Sequence, residues 1–404
     1  MKKALVITYY FPPDGGNLAL RITKFVKYLP EFGFRPYVIT SNHQLKLVDR
    51  DLQKDVAELQ HVWRIETSPL HMPNWVKKLF KDKYAPDSTY WWTRKALEKI
   101  TQLHKEEAFD VMLTEAPHYA VLPLAEQVKQ ALGIPWICDI REFWQQAHGS
   151  GLFSNVQAEK QALQKADYLI TNSQVNATRL GELTSEDKVA LIYDGFDPDN
   201  YAHVHDPVYK KTKLAFAYCG SLNEAHSPVS FFKVLDKLVG AGVINPDQVE
   251  INIYGKNVSG MWRLAYYNLK ERIRYFNYQA HNTSLQKMNE ATVLLVFDSE
   301  SSQSGKIPSK VFEYMYLEKP ILAVVKGKGE LTDILSEYGN AYICNASSQD
   351  DIKAQILKLF DNWKSDSLSV PIDPEFLDLY DCQYHTQQLS EMMESVLNGG
   401  LSDK

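Results

Sequence analysis

The chain has 404 residues, 45% hydrophobic and 23% charged, and a formal net charge of −6. That length asks for two domains, the composition excludes disordered and fibrous classes, and the acidic balance argues against a nucleic-acid partner. No run approaches the ~20 consecutive apolar residues that cross a bilayer, which excludes an integral membrane protein.

The first residues, MKKALVITYYFPPDGG, have the basic start of a signal peptide, but the apolar stretch is short and runs straight into Pro12 and Pro13. They read as a first strand over Leu5 to Thr8. The loop Tyr10 to Asn17 follows, with the adjacent glycines Gly15 and Gly16. Such a pair lets backbone approach a ligand, and the helix it opens offers free N–H groups to phosphate. A plain glycine turn is an equally good reading, since neither the G-x-G-x-x-G nor the G-K-[ST] spacing is present. Leu18, Ile22, Phe25, Val26 and Leu29 recur at helical spacing, with Arg21, Lys24 and Lys27 expected to turn away from that stripe.

A second strand is expected over Tyr37 to Thr40. The stretch from Met72 to Lys105 then carries eight Lys and Arg against three acidic residues, interleaved with Trp75, Phe80, Tyr90, Trp91 and Trp92. Basic residues among exposed aromatics suit a peripheral helix resting on anionic lipid. Aromatics in the core with lysines in water is the competing reading. Strands are expected again over Val111 to Leu113, Trp136 to Cys138 and Tyr168 to Ile170. Past the first of these come Glu115 and His118, the latter a candidate base if not structural. Past the second come Asp139, Arg141, Glu142, Phe143 and Trp144. Arg141 there can face phosphate and Asp139 or Glu142 an acceptor hydroxyl, or Asp139 and Arg141 can form a buried pair that orders the loop.

Gly195, Pro198 and Pro207 punctuate a polar break between Asp194 and Asp206, after which the pattern starts afresh. Strands are expected over Leu214 to Tyr218, Ile251 to Tyr254, Val293 to Phe297, Ile321 to Val325 and Ala341 to Cys344, and a last helix over Gln383 to Val396. The chain therefore divides into 1–194, rejoined by 380–404, and 195–379. Each part is an α/β domain with an open parallel sheet of Rossmann type, whose crevice lies beyond the carboxyl ends of its strands. If those ends face one another, the active site is the cleft between them.

The most informative segment is Gly305 to Tyr314. Ser302, Ser304 and Gly305 make a small polar loop, Pro308 suits a first helical turn, and Lys306 and Lys310 bring cations to a helix start where cations are unfavourable unless an anion is bound. That arrangement suits a diphosphate. Glu313, one turn on, can accept hydrogen bonds from two neighbouring ribose hydroxyls. A solvated, capped helix is the bland alternative. The four cysteines, Cys138, Cys219, Cys344 and Cys382, lack the spacing of a zinc site or redox dithiol and read as buried, reduced thiols in a cytoplasmic protein.

The segments YYFPPDGGNLALR with KYLPEFG, IPWICDIREFW, ADYLITNS, LIYDGFD, YCGSL and GKIPSKVFEYMYLEKPILAV, in this order, resemble GT-B glycosyltransferases. The group includes the bacterial capsule, exopolysaccharide and lipopolysaccharide enzymes (glycosyl transferases group 1, family 4-like), commonly retaining. The likeness spans nearly the whole chain. It implies a nucleotide-sugar donor, UDP- or GDP-linked, held mainly by the second domain, a saccharide or lipid-linked acceptor held mainly by the first, and no metal.

Carried over, Glu313 matches the second glutamate of the E-x7-E pattern, and Gly305, Lys306, Ile307, Pro308 and Ser309 the loop that cradles the diphosphate and sugar. Gly15 and Gly16 match the first-domain glycine loop, and Gly220 and Ser221 the turn after the first strand of the second domain. The pattern's first glutamate falls on Gly305, and the phosphate-binding arginine and lysine fall on Ser221 and His226. Lys310, helped by Lys306, is expected to supply the missing charge. Two other readings stay open, a nucleotide-sugar 2-epimerase and a degenerate sugar-binding subunit.

Overall fold

The computed structural model describes residues 1–42, 48–67, 86–116, 118, 120–143, 156–205, 212–255, 266, 268–298 and 305–399, with the side chains of 86–90, 156 and 158 excepted. It divides into two compact units, Met1–Asp194 with Cys382–Lys404, and Gly195–Asp381.

The first unit is built on a seven-stranded sheet in the order β3-β2-β1-β4-β5-β6-β7. Its strands are β1 (Lys2–Thr8), β2 (Phe34–Ser41), β3 (Val62–Ile65), β4 (Val111–Glu115), β5 (Trp136–Asp139), β6 (Tyr168–Thr171) and β7 (Val189–Leu191). Every pairing is parallel. The five strands expected from apolar runs are all present. The missed ones, β3 and β7, are edge strands without a fully buried residue; Arg64 interrupts the first, and the second is only three residues long.

Alternation along β1 explains why the sheet is covered on both faces. Leu5 and Ile7 join one core with Trp92, Val128, Trp136 and Leu163. Ala4 and Val6 join another with Ile22, Phe25 and Val26 of helix Asn17–Tyr28 and with Leu389 and Met393 of the last helix, Cys382–Leu397. The final helix thus packs into the first unit.

Helix Asn17–Tyr28 corrects one expectation. Arg21 and Lys24 do not turn to water but are buried, at 7% and 3% exposure, whereas Leu18 is exposed. The reason is charge pairing. Lys24 Nζ lies 2.5 Å from Asp55 and Arg21 Nε 2.7 Å from Asp139, so carboxylates replace the lost water.

The second unit carries a six-stranded sheet in the order β10-β9-β8-β11-β12-β13. Its strands are β8 (Leu214–Cys219), β9 (Val249–Tyr254), β10 (Ile273–Phe276), β11 (Val293–Asp298), β12 (Ile321–Val325) and β13 (Ala341–Asn345), again all parallel. Its core sets Phe216, Tyr218, Ile251, Ile253, Leu295 and Phe297 against Phe231, Phe232 and Leu235 of helix Val229–Gly240 and Ile352, Ile356 and Leu359 of helix Gln349–Lys364. The unexpected strand β10 alternates buried and exposed residues at the sheet edge. All four cysteines are free and buried.

Candidate functional site

In an open parallel sheet a ligand sits past the carboxyl ends of the strands where the chain order reverses. In the second unit that point lies between β8 and β11. Gly220 follows β8 and Gly255 follows β9, at φ 144° and 140°, conformations that side-chain-bearing residues rarely adopt. A Cβ on Gly255 would stand 2.3 Å from the Gly220 carbonyl oxygen, and one on Gly220 would stand 2.9 Å from Lys310 Nζ. The two glycines therefore let backbone and ammonium meet at the strand ends. We expect Gly255→Ala to cost about 3 kcal/mol or more, because the clash is with backbone and no rotamer relieves it. Urea unfolding measures it, and a loss under 1 kcal/mol would mean that the strand ends are looser than described.

Lys310 begins helix Lys310–Tyr316. Its Nζ rests 3.7 Å above the ring of Tyr218, and burial pulls the ammonium down to about 7 against the opposing pull of Cys219, Asp298 and Glu313. The helix is pinned to the strand end where Cys219 N donates to the Tyr314 hydroxyl at 3.2 Å. Glu313, three residues on and on the same helix face as Lys310, is 8% exposed and shares a 2.6 Å hydrogen bond between its Oε1 and His281 Nε2. A cation lowered by burial, beside bare backbone and a carboxylate, suits an anion with a hydroxylated neighbour.

The other expected residues fall around this group. Gly305 has φ 68°, a left-handed conformation that disfavours the glutamate of the resembled pattern. Lys306 is exposed, Ile307 buried, and Pro308 and Ser309 partly buried. The N–H groups of Val311 and Phe312 donate to the carbonyls of Pro308 and Ser309 at 3.0 and 3.2 Å. The helix start thus offers fewer free amides than a simple helical cradle. Ser221 is exposed, with its carbonyl accepting from the Tyr218 hydroxyl, and His226 Nδ1 lies 2.9 Å from the carbonyl of Phe297. Ser302 and Ser304 lie outside the described residues.

The first unit has its own reversal between β1 and β4. Gly15 is buried, and Gly16 has φ 84° with open space where a Cβ would stand. The expected Asp139–Arg141 pairing is corrected, for the partners are crossed. Asp139 Oδ2 takes Arg21 Nε at 2.7 Å, while Arg141 Nη2 reaches Glu115 Oε1 at 2.7 Å and its Nη1 donates to the Asn17 carbonyl at 2.9 Å. Arg21 also donates to the carbonyls of Ile192 and Tyr193. Position decides this, since helix Asn17–Tyr28 lies over the ends of both strands and brings a second arginine that sequence spacing alone does not reveal. Burial pushes the Glu115 carboxyl up to about 7, against the pull of Arg141.

Asp139 is fully buried, and its Oδ1 has no hydrogen-bond partner among the described residues. His118 lies flat on Tyr9, ring centroids 3.7 Å apart, and its Nδ1 accepts from the Ala120 N–H at 3.3 Å. Neutral His118 then carries its proton on Nε2. Residues missed from sequence are Tyr218, Gly255 and His281 in one unit and Arg21 and Asp194 in the other, while the sequence places Glu115 past its strand without a partner. Gly255 alone left a trace, as a glycine ending an apolar strand. Of the basic aromatic stretch, Trp92 is in the core and Arg94 and Lys95 pair with Glu98 and Glu66. Positions 72–85, the side chain of Tyr90, and Trp144 lie outside the described residues. Among the described residues no helix is long and apolar enough to cross a membrane.

Residues 18–195 match the family described as Glycosyl transferase 4-like domain. No match to a curated protein was found by sequence comparison. Among solved structures, Anabaena HepE in complex with UDP and glucose is similar at TM-score 0.67 and 14% identity, over 98% of this chain and 100% of that one. A glycosyltransferase from Rickettsia africae gives 0.70 and 12%, over 99% of each chain. A Listeria monocytogenes protein provisionally assigned as a UDP-N-acetylglucosamine 2-epimerase gives 0.62 and 12%, over 99% and 98%. At such identities the likeness establishes the GT-B fold and nothing finer.

Proposed function

Starting from a glycosyltransferase of GT-B fold, as the glycosyl transferase 4-like domain and the two parallel sheets make this chain, we propose that it moves a sugar from a UDP- or GDP-sugar to a saccharide or lipid-linked saccharide. The observation that carries this is Lys310, its ammonium lowered to about 7, set against Gly220 with Glu313 one turn along. The diphosphate lies on Lys310 and the bare turns at Gly220, Ser221 and Gly305 to Ser309, with Lys306 at its edge. Glu313 holds the ribose. In the first unit the loop at Gly15, Gly16 and Arg141 faces phosphate or acceptor. That HepE was solved with UDP and glucose supports a nucleotide-sugar ligand.

The chemistry follows from charge. As the bond to the nucleotide breaks, negative charge grows on the diphosphate and positive character on the sugar, so a fixed cation stabilises the transition state more than the ground state. With retention, the departing phosphate takes the acceptor proton and no protein base is needed. With inversion a base is required. Asp139 and His118 are the candidates, though the burial of the first and the Nε2 proton of the second suit the retaining route better. The scheme calls on no metal. The reaction serves cell-surface polysaccharide assembly at the inner membrane face, with basic residues of the stretch 72–105 toward anionic lipid while Trp92 stays in the core.

A thermal-shift panel of UDP, GDP, ADP, CMP and TDP tests the donor site. A nucleotide at 100 times its Kd adds about 2.7 kcal/mol to stability. One base is expected to stand out, and silence across the panel would remove the reading and leave a degenerate subunit. The Listeria likeness keeps a 2-epimerase as the second reading. Donor alone converted to its epimer, without release of nucleoside diphosphate, would select it.

A further inference from the structure

Glu313 does not stand alone. Its Oε1 is 2.6 Å from Nε2 of His281, the first residue of helix His281–Asn289, and the two side chains are 11% and 18% exposed. Glu313 sits on a different helix, Lys310–Tyr316, so the contact ties two elements that sequence separates by 32 residues. A carboxylate has about four lone-pair sites on two oxygens, and without a donor at one of them it turns about its last torsion, which is broad. A donor at Oε1 fixes the plane of the carboxylate and leaves the remaining sites to a second pair of donors. The vicinal hydroxyls of a ribose are such a pair.

We propose that His281 is a positioning residue that orients Glu313 to read the ribose, and that it thereby sets the preference of the site for a ribonucleoside over a 2′-deoxyribonucleoside diphosphate. This rests on the assignment of Glu313 to the ribose. His281 Nε2–H donates to Oε1, and the 2′- and 3′-hydroxyls donate to the sites left open. Without the imidazole donor the carboxylate no longer prefers one plane, and the energy gained from the 2′-hydroxyl falls. Hydrogen bonds to a charged partner are the stronger kind, and orienting second partners of this sort carry large effects at other sites.

Titration calorimetry on the full chain tests it, with UDP against 2′-deoxy-UDP, or GDP against 2′-deoxy-GDP where the thermal panel selects guanine. Wild type is expected to bind the ribonucleotide at least tenfold tighter, about 1.4 kcal/mol. His281→Phe, which keeps a ring and loses the donor, is expected to bring that ratio to within about threefold, and His281→Gln, which retains an N–H donor, to restore most of it. A merely structural contact would lower Tm and leave the ratio unchanged, which overturns the proposal, as does a wild type that ignores the 2′-hydroxyl. Should His281→Phe not fold, His281→Ala, which also lacks the donor, decides by the same ratio. Glu313→Gln separates the layers. If it keeps the full preference, the ribose assignment itself fails. If it loses the preference while His281→Phe keeps it, only the role of His281 fails.

Discussion

Lys310→Ala is expected to lower turnover at least tenfold, a barrier increase of about 1.4 kcal/mol, with folding retained. Its Nζ stands 2.9 Å from where a Cβ on Gly220 would be, and in the proposed site its loss removes the charge that would meet the leaving diphosphate. Glu313→Ala is expected to cost as much, through the ribose. The pH dependence is specific to Lys310. Its ordinary value is 10.5 and burial brings it to about 7, so between those pH values the unfolded chain holds a proton that the folded protein releases. The group therefore makes stability rise with pH across that window.

A bound diphosphate reverses the balance by restoring the proton. Affinity for UDP or GDP is thus expected to fall as pH rises above about 7, with uptake of a proton on binding. Calorimetry in buffers of different ionisation heat measures both, and the difference between wild type and Lys310→Ala removes the contribution of the phosphate's own titration. Equal pH slopes in the two proteins, or turnover near wild type in Lys310→Ala, would remove Lys310 from the site.

Arg21→Ala is expected to have the largest effect on stability, about 3–5 kcal/mol, since it leaves buried Asp139 without its cation. The guanidinium also holds the carbonyls of Ile192 and Tyr193 and approaches Asp194 at 3.4 Å, so it fastens the loop after β7 to helix Asn17–Tyr28 and the end of β5. Arg21→Lys is expected to recover only part of the loss, because an ammonium cannot reproduce the planar fork that serves all these partners. Urea midpoints measure both variants. A loss below 1 kcal/mol in Arg21→Ala would mean that Asp139 finds another partner or water.

The sheets were legible because parallel strands are buried on both faces and spell continuous apolar runs, as at Val293–Phe297 and Ile321–Val325. Edge strands such as β3 and β10, half exposed, leave no such run. In the candidate site, Lys310, Glu313 and Gly220 were readable from local chemistry and from resemblance. His281 was not, because its significance comes from a contact between two helices. Arg21 misled for a related reason. A helical pattern sorts charged residues to the solvent side, and only the sheet ends above the helix reveal the carboxylates that draw this one inward. Asp139 and Arg141, two residues apart, suggested each other as partners, but helix Asn17–Tyr28 supplies Arg21 to Asp139 and leaves Arg141 to Glu115.

The most direct test is a structure of the full chain with the nucleoside diphosphate that the thermal panel selects. The expected result is a phosphate oxygen within hydrogen-bond distance of Lys310 Nζ, over the turn at Gly220, with Glu313 on the ribose hydroxyls. A nucleotide bound away from β8 and β11, or a Lys310 that stays on the Tyr218 ring with no phosphate beside it, would contradict the donor site.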